Sequence, residues 1–126
     1  MLNDIPPSGP WTGYYLYGHA GRKHYMRLGL VFTPDGRIRG EGMDDVAPFV
    51  IDGLFNGVTR EASWTKAYVR RHTVQYFGIY SQRAICGDWT LGILTGGFWI
   101  WPDVVPQSEK VVEQTEFEES AEPVLV

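Results

Sequence analysis

The sequence is poor in cysteine and histidine and has no long apolar run. Its single cysteine, Cys86, excludes an intramolecular disulfide. The three histidines, His19, His24 and His72, stand at no metal-ligand spacing with one another or with Cys86, so no zinc site is expected. No apolar stretch approaches the length of a membrane-spanning helix. The opening "MLNDIPPSG" lacks the basic region and apolar run of a secretory signal. A soluble, cytoplasmic protein with no membrane partner is the expectation. Eleven Lys and Arg against fifteen Asp and Glu leave no dense basic surface, which argues against nucleic acid as a partner. Between Trp11 and Trp101 no segment holds a helical period long enough for an independent helix.

Aromatic residues, glycine and proline are plentiful. Five Trp, seven Tyr, six Phe, fifteen Gly and eight Pro in 126 residues suit one turn-rich β domain with a real core. Residues 1–102 carry ten Lys/Arg and eight Asp/Glu, a balance of +2; residues 103–126 carry one Lys and seven acids, a balance of −6. The division predicts a barrel domain over 1–102 and an acidic tail over 103–126. In the tail, 107–120 has the makings of a short helix with Ser108 as N-cap and Val111, Val112 and Phe117 as a sparse apolar set.

Eight strands are predicted, over 11–18, 23–33, 37–43, 48–55, 60–69, 72–80, 83–91 and 96–101. "TPDGR" (33–37), "FNGV" (55–58) and "YSQRA" (80–84) mark hairpin turns, with Asn56-Gly57 as a type I′ signal. Parity gives each strand a core face. His24, Met26, Leu28, Leu30 and Phe32 share one face, and Ile85, Gly87, Trp89 and Leu91 share another. "IRG", "IDG", "YFG" and "ICG" each put a large apolar residue and then a glycine on one face. Those glycines either let a closing barrel coil and admit an opposing ring, or leave a cavity.

Together these signals predict an all-β, single eight-stranded antiparallel up-and-down barrel. Gly9-Pro10-Trp11 opens the first strand and resembles the Gly-x-Trp signature shared by lipocalins, fatty-acid-binding proteins and avidins. Strand count and loop length are closest to the avidin-like kind. The resemblance covers about residues 9–101 and implies that Trp11 packs across the closed end. Biotin binding does not carry over, because the residues that contact biotin in avidins cannot be aligned with this chain.

Loops after strands one, three, five and seven share one end, so the basic turns "GHAGRKH" (18–24) and Arg70-Arg71-His72 border one rim. They are either solvated turns or a means of steering an anion to a barrel mouth. "EGMDD" (41–45) with Asp52 does not follow a calcium-loop spacing, and no metal or other cofactor is expected. In "ASWTKAYV" (62–69), Trp64, Lys66 and Tyr68 share a face. Parity leaves its direction open. An outward Lys66 lying over exposed aromatics is the more ordinary arrangement, whereas an inward one needs a carboxylate or a ligand, with Asp52 and Asp88 as candidates.

The leading functional expectation is a binding barrel for a small, partly apolar molecule, with an anionic one among the candidates. Trp11, Tyr76 and Trp89 would be its walls and Lys66 and His72 its polar contacts. The alternative is an interaction or assembly module that uses the barrel as a scaffold. A third reading, an enzyme with a His or Lys acid/base at the mouth, has no catalytic arrangement in the sequence to support it. Finally, "TGGFWIWP" (95–102) is apolar on both faces. One of its pairs, Phe98/Ile100 or Trp99/Trp101, must face outward, and burying each such ring is worth roughly 1.5–3 kcal/mol. The acidic tail or a second copy would cover it. The expectation is a homo-oligomer centred on Phe98, Trp99, Ile100 and Trp101, with the tail at its edge or exchanged between chains.

Overall fold

Period-two alternation of large apolar and polar residues produces strands with one dry face, and such strands must close on themselves or stack. Here they close. The computed structural model describes residues 5–103. Its strands are β1 (Gly9–Tyr15), β2 (His24–Phe32), β3 (Arg37–Met43), β4 (Pro48–Phe55), β5 (Glu61–Tyr68), β6 (Thr73–Ser81), β7 (Ala84–Leu91) and β8 (Leu94–Pro102). Each pairs antiparallel with the next, and β1 pairs with β8, so the barrel has no free edge. The expected fold class is therefore the observed one. The predicted tail helix lies outside the described residues.

Turn chemistry fixes the register. Gly36 takes φ 92° in the β2–β3 turn, as "TPDGR" requires. Gln82 and Arg83 make a two-residue β6–β7 turn with φ of 53° and 64°. The β4–β5 connection differs from the two-residue Asn-Gly turn that the sequence suggests. The Asn56 side chain accepts from the backbone N–H groups of Val58 and Thr59, and Arg60 carries the positive φ of 70°. Asparagine's local hydrogen bonding thus builds a longer loop in place of a tight turn.

The barrel has two unlike ends. At the closed end, Trp11 is buried and donates from Nε1 to the Pro7 carbonyl at 2.9 Å. Its ring meets Phe32, Phe32 meets Phe55, and Phe55 meets Tyr80, with centroids 5.7–6.3 Å apart. Pro6 is fully buried and Ser8 accepts from the Phe32 N–H, so residues 6–8 belong to this plug. The loops after β1, β3, β5 and β7 surround the opposite end, the mouth.

Inside, the glycines of the recurring triplets admit close neighbours. A Cβ at Gly53 would lie 2.5 Å from Trp64 Cβ, and one at Gly78 would lie 2.9 Å from the Phe98 ring. This is the close-approach reading of those triplets.

The more ordinary, outward placement of Lys66 is not the one adopted. Trp64, Lys66 and Tyr68 all face inward, and Lys66 is 1% exposed. Turning β5 over would expose Trp64 and Tyr68, at roughly 1.5–3 kcal/mol each. The inward lysine in turn finds a carboxylate. That carboxylate belongs to neither Asp52 nor Asp88. Asp52 lies on the outer wall with Arg37 and Arg39, and Asp88 pairs with His19 at 2.8 Å. Phe98 and Ile100 are also buried in the barrel, so only Trp99 and Trp101 face outward.

Candidate functional site

The partner of Lys66 comes from the loop between β3 and β4. Asp44 Oδ2 lies 2.5 Å from Lys66 Nζ and accepts the Tyr68 hydroxyl at 2.6 Å. Its Oδ1 accepts the Val46 backbone N–H at 2.8 Å. Both oxygens are engaged, and the Asp44 side chain is fully buried. Lys66 also donates to the Tyr76 hydroxyl at 3.0 Å and lies 4.6–5.1 Å from the ring centroids of Tyr15, Phe49, Tyr68 and Tyr76. An ammonium among ring faces with one carboxylate is a satisfied buried cation. Burial still lowers the Lys66 pKa, with Asp44 working against the shift.

Asp45 repeats the pattern nearer the surface. Its Oδ1 accepts from the Tyr15 hydroxyl at 2.7 Å and its Oδ2 from His24 Nδ1 at 2.6 Å. The Tyr15 and His24 rings stack at 4.9 Å. Partial burial pushes the Asp45 carboxyl up, but hydrogen bonds from His24 and Tyr15 and the charge of His24 bring it below the ordinary aspartate value. Burial, with the two carboxylates adding to it, raises the Tyr15 and Tyr68 phenols well above the usual range, so both remain protonated donors. With both aspartates engaged in this way, neither has a free oxygen for a cation. No group of three metal-ligating side chains occurs among the described residues.

Above the ion pair is a cavity of about 180 Å³. Tyr15, Tyr68, Val74, Tyr76 and Trp89 wall it, and His72 and Tyr17 stand among its lining residues as exposed side chains. Trp89 is fixed by its indole N–H, which donates to the Leu16 carbonyl at 2.8 Å. The loop that begins there is held against β8 by Leu16–Gly97 and Gly18–Thr95 hydrogen bonds. Tyr76 is the distinctive wall residue. It is 3% exposed, and its oxygen accepts from Lys66. Its own proton has no acceptor among the described residues. Burial, together with the nearby Asp44 charge, raises its pKa and keeps that proton in place. Arg22, Lys23, Arg70 and Arg71 are exposed on the two loops bordering this mouth.

Of the residues singled out by sequence, Tyr76, Trp89 and His72 meet at the cavity, and Lys66 lies directly beneath it. Trp11 does not belong to it; it plugs the far end. Asp44, Asp45, Tyr15, His24 and Tyr68 were missed as site residues. Parity places His24 on the core face of its strand but leaves the direction of the Tyr68 face open, and nothing periodic reports where a loop carboxylate will point. Two wider hollows, of about 580 and 610 Å³, lie between β2 and β3, where Tyr25, Arg27, Glu41 and Asp44 are among the lining residues, and around the closed-end turns. Among the described residues no helix is long and apolar enough to cross a membrane. No protein family, curated protein or solved structure matches the chain.

Proposed function

We propose that this protein is a cytoplasmic binding barrel of the avidin and lipocalin kind. Its mouth would take a small, single-ring molecule bearing an anionic or other acceptor group. The observation that carries this reading is the Tyr76 hydroxyl, buried at the cavity wall, which accepts from Lys66 and whose own proton has no acceptor among the described residues. A buried donor with no acceptor is costly, and a ligand oxygen would relieve that cost. Size supports a single ring, since a cavity of about 150 Å³ in another protein is enough for benzene. The aromatic walls suit a flat apolar body. Arg22, Lys23, Arg70 and Arg71 favour approach of an anion. Trp11 has no part in this reading, and Lys66 acts through Tyr76.

Titration with benzoate, followed by calorimetry and by the Trp89 indole N–H resonance, tests it. Saturable binding with shifts confined to Trp89, His72 and their neighbours is expected. Tyr76→Phe should abolish the preference for benzoate over toluene while leaving the fold intact. No saturable shift at tens of millimolar benzoate would sink the proposal. The alternative, an assembly module with no enclosed ligand, is favoured by a separate observation: the exposed Trp99 and Trp101 on the outer wall.

A further inference from the structure

Outward-facing residues of five adjacent strands fall into one row. Tyr25 of β2 pairs with Tyr14 of β1, Tyr14 with Trp99 of β8, Trp99 with Cys86 of β7, and Cys86 with Ile79 of β6. Trp101 adds to it, meeting Tyr14 edge-on at 6.2 Å. Tyr25 is 63% exposed, Trp99 48% and Ile79 40%, and Cys86 is also exposed. The row contains no charge. Other exposed apolar residues, such as Val31, Val50 and Leu54, stand elsewhere on the wall, but a contiguous aromatic belt of this kind marks a contact surface.

The charges at its two sides have opposite signs. Lys23 and Arg27 border the β2 side; Lys23 lies 4.8 Å from the Tyr14 ring centroid. Asp88 of β7, paired with His19 at 2.8 Å, borders the other side, where the exposed Arg83 precedes β7, and Glu61 of β5 continues the row beyond Ile79. Trp99 is the midpoint of the five. A two-fold axis running along β8 therefore sets Trp99 on its own copy, Tyr14 on Cys86, and Tyr25 on Ile79. The same operation brings the cationic flank of one chain to the acidic flank of the other. The belt is complementary to itself, as an isologous contact requires. Curvature of the barrel confines the tightest contact to β1, β8 and β7, with aromatic rings at the centre and charge at the rim, the usual anatomy of an interface.

We infer that two copies of this chain associate through the β1–β8–β7 wall, with Trp99 and Trp101 at the centre and Cys86 covered by the partner's Tyr14. This inference is independent of any ligand at the mouth.

Sedimentation of the full chain over a concentration series, with maleimide reaction at Cys86 measured in parallel, tests it. A dimer is expected, and Cys86 should react at least about tenfold more slowly where dimer prevails. Trp99→Lys should give a monomer with a fast-reacting Cys86, corresponding to at least roughly 30-fold weaker association for a central anchor. Near-UV circular dichroism checks that this variant is folded. A second series does not depend on it: Lys23→Glu alone should weaken the dimer, and Lys23→Glu with Asp88→Lys should restore it. A monomer at every concentration overturns the inference, including one whose Trp99 is shielded from quencher by the acidic tail. A dimer that survives Trp99→Lys with Cys86 still open overturns it as well, because the contact would then lie on another wall.

Discussion

The closed end and the mouth are built from the same eight strands and hold their interiors in opposite ways. At the closed end, Trp11, Phe32, Phe55 and Tyr80 pack ring against ring, with the chain's own backbone as the cap. At the mouth, Lys66 and Asp44 occupy comparable depth with rings as their solvent, and His24 and Asp45 pair nearer the surface. The first arrangement tolerates changes of shape poorly but is insensitive to charge. The second depends on every charge having its partner. A barrel interior can thus be part oil and part ion pair, provided that each buried charge has its partner.

The largest expected effect separates the two ends through the ion pair. Lys66→Met or Asp44→Leu alone should cost about 3–5 kcal/mol, because each strands a buried charge or its tyrosine donors. Lys66→Met with Asp44→Leu should cost much less than the sum, since an apolar pair of similar volume removes both charges. Urea unfolding of the four proteins measures this. Strict additivity would show that the two groups do not act as a pair.

A smaller effect compares two buried tryptophans. Trp11 donates to Pro7, whereas the Trp64 indole N–H, between the ends, has no partner among the described residues. Both lose ring volume on replacement by phenylalanine, but only Trp11→Phe also loses a hydrogen bond. It should therefore be the more destabilising of the two by about 1 kcal/mol in chemical denaturation. Equal costs would mean that the Pro7 contact contributes nothing.

The smallest effect is one of pH. The folded-state pKa of Asp45 lies below the ordinary aspartate value, so its stabilisation is present above that value and is lost as pH falls through the folded one. Asp45→Asn should flatten the acid limb of the stability profile and leave the neutral-to-alkaline part unchanged in slope. Trp11→Phe should shift the whole profile without altering its shape. An unchanged acid limb in Asp45→Asn would remove Asp45 from the mouth's charge balance.

Strand parity made most of this architecture readable in advance. The inward set of β2, from Met26 to Phe32, follows from alternation alone, whereas Trp11 at the closed end is what the resemblance of Gly9-Pro10-Trp11 to the Gly-x-Trp signature implies. The direction of β5 was not readable from β5 itself. Its inner face holds both the costliest residue to bury and two of the most rewarding, and the outcome turns on a carboxylate in a different hairpin. Asp44 and Asp45 stand at a turn, where acids usually face water, and no local signal separates them from solvated ones. The loop at 56–60 was misjudged for a related reason. Asn56-Gly57 favours a tight turn, but the Asn56 side chain has a second use as a cap for Val58 and Thr59.

Closure of the barrel has one more consequence. The backbone N–H of Asp103 donates to the Pro10 carbonyl at 2.9 Å, so the strand that leaves the barrel lies beside the strand that enters it, next to the plugged end. Covalent order is then almost arbitrary around the ring. A short linker from residue 103 to residue 5, which keeps the plug residues 6–8, with the chain cut at the exposed Gly92-Ile93 turn, should yield a permuted barrel with the same eight neighbours. Likewise, anything attached through either end of the barrel hangs from the plugged side, and the mouth points away from whatever the barrel is tethered to.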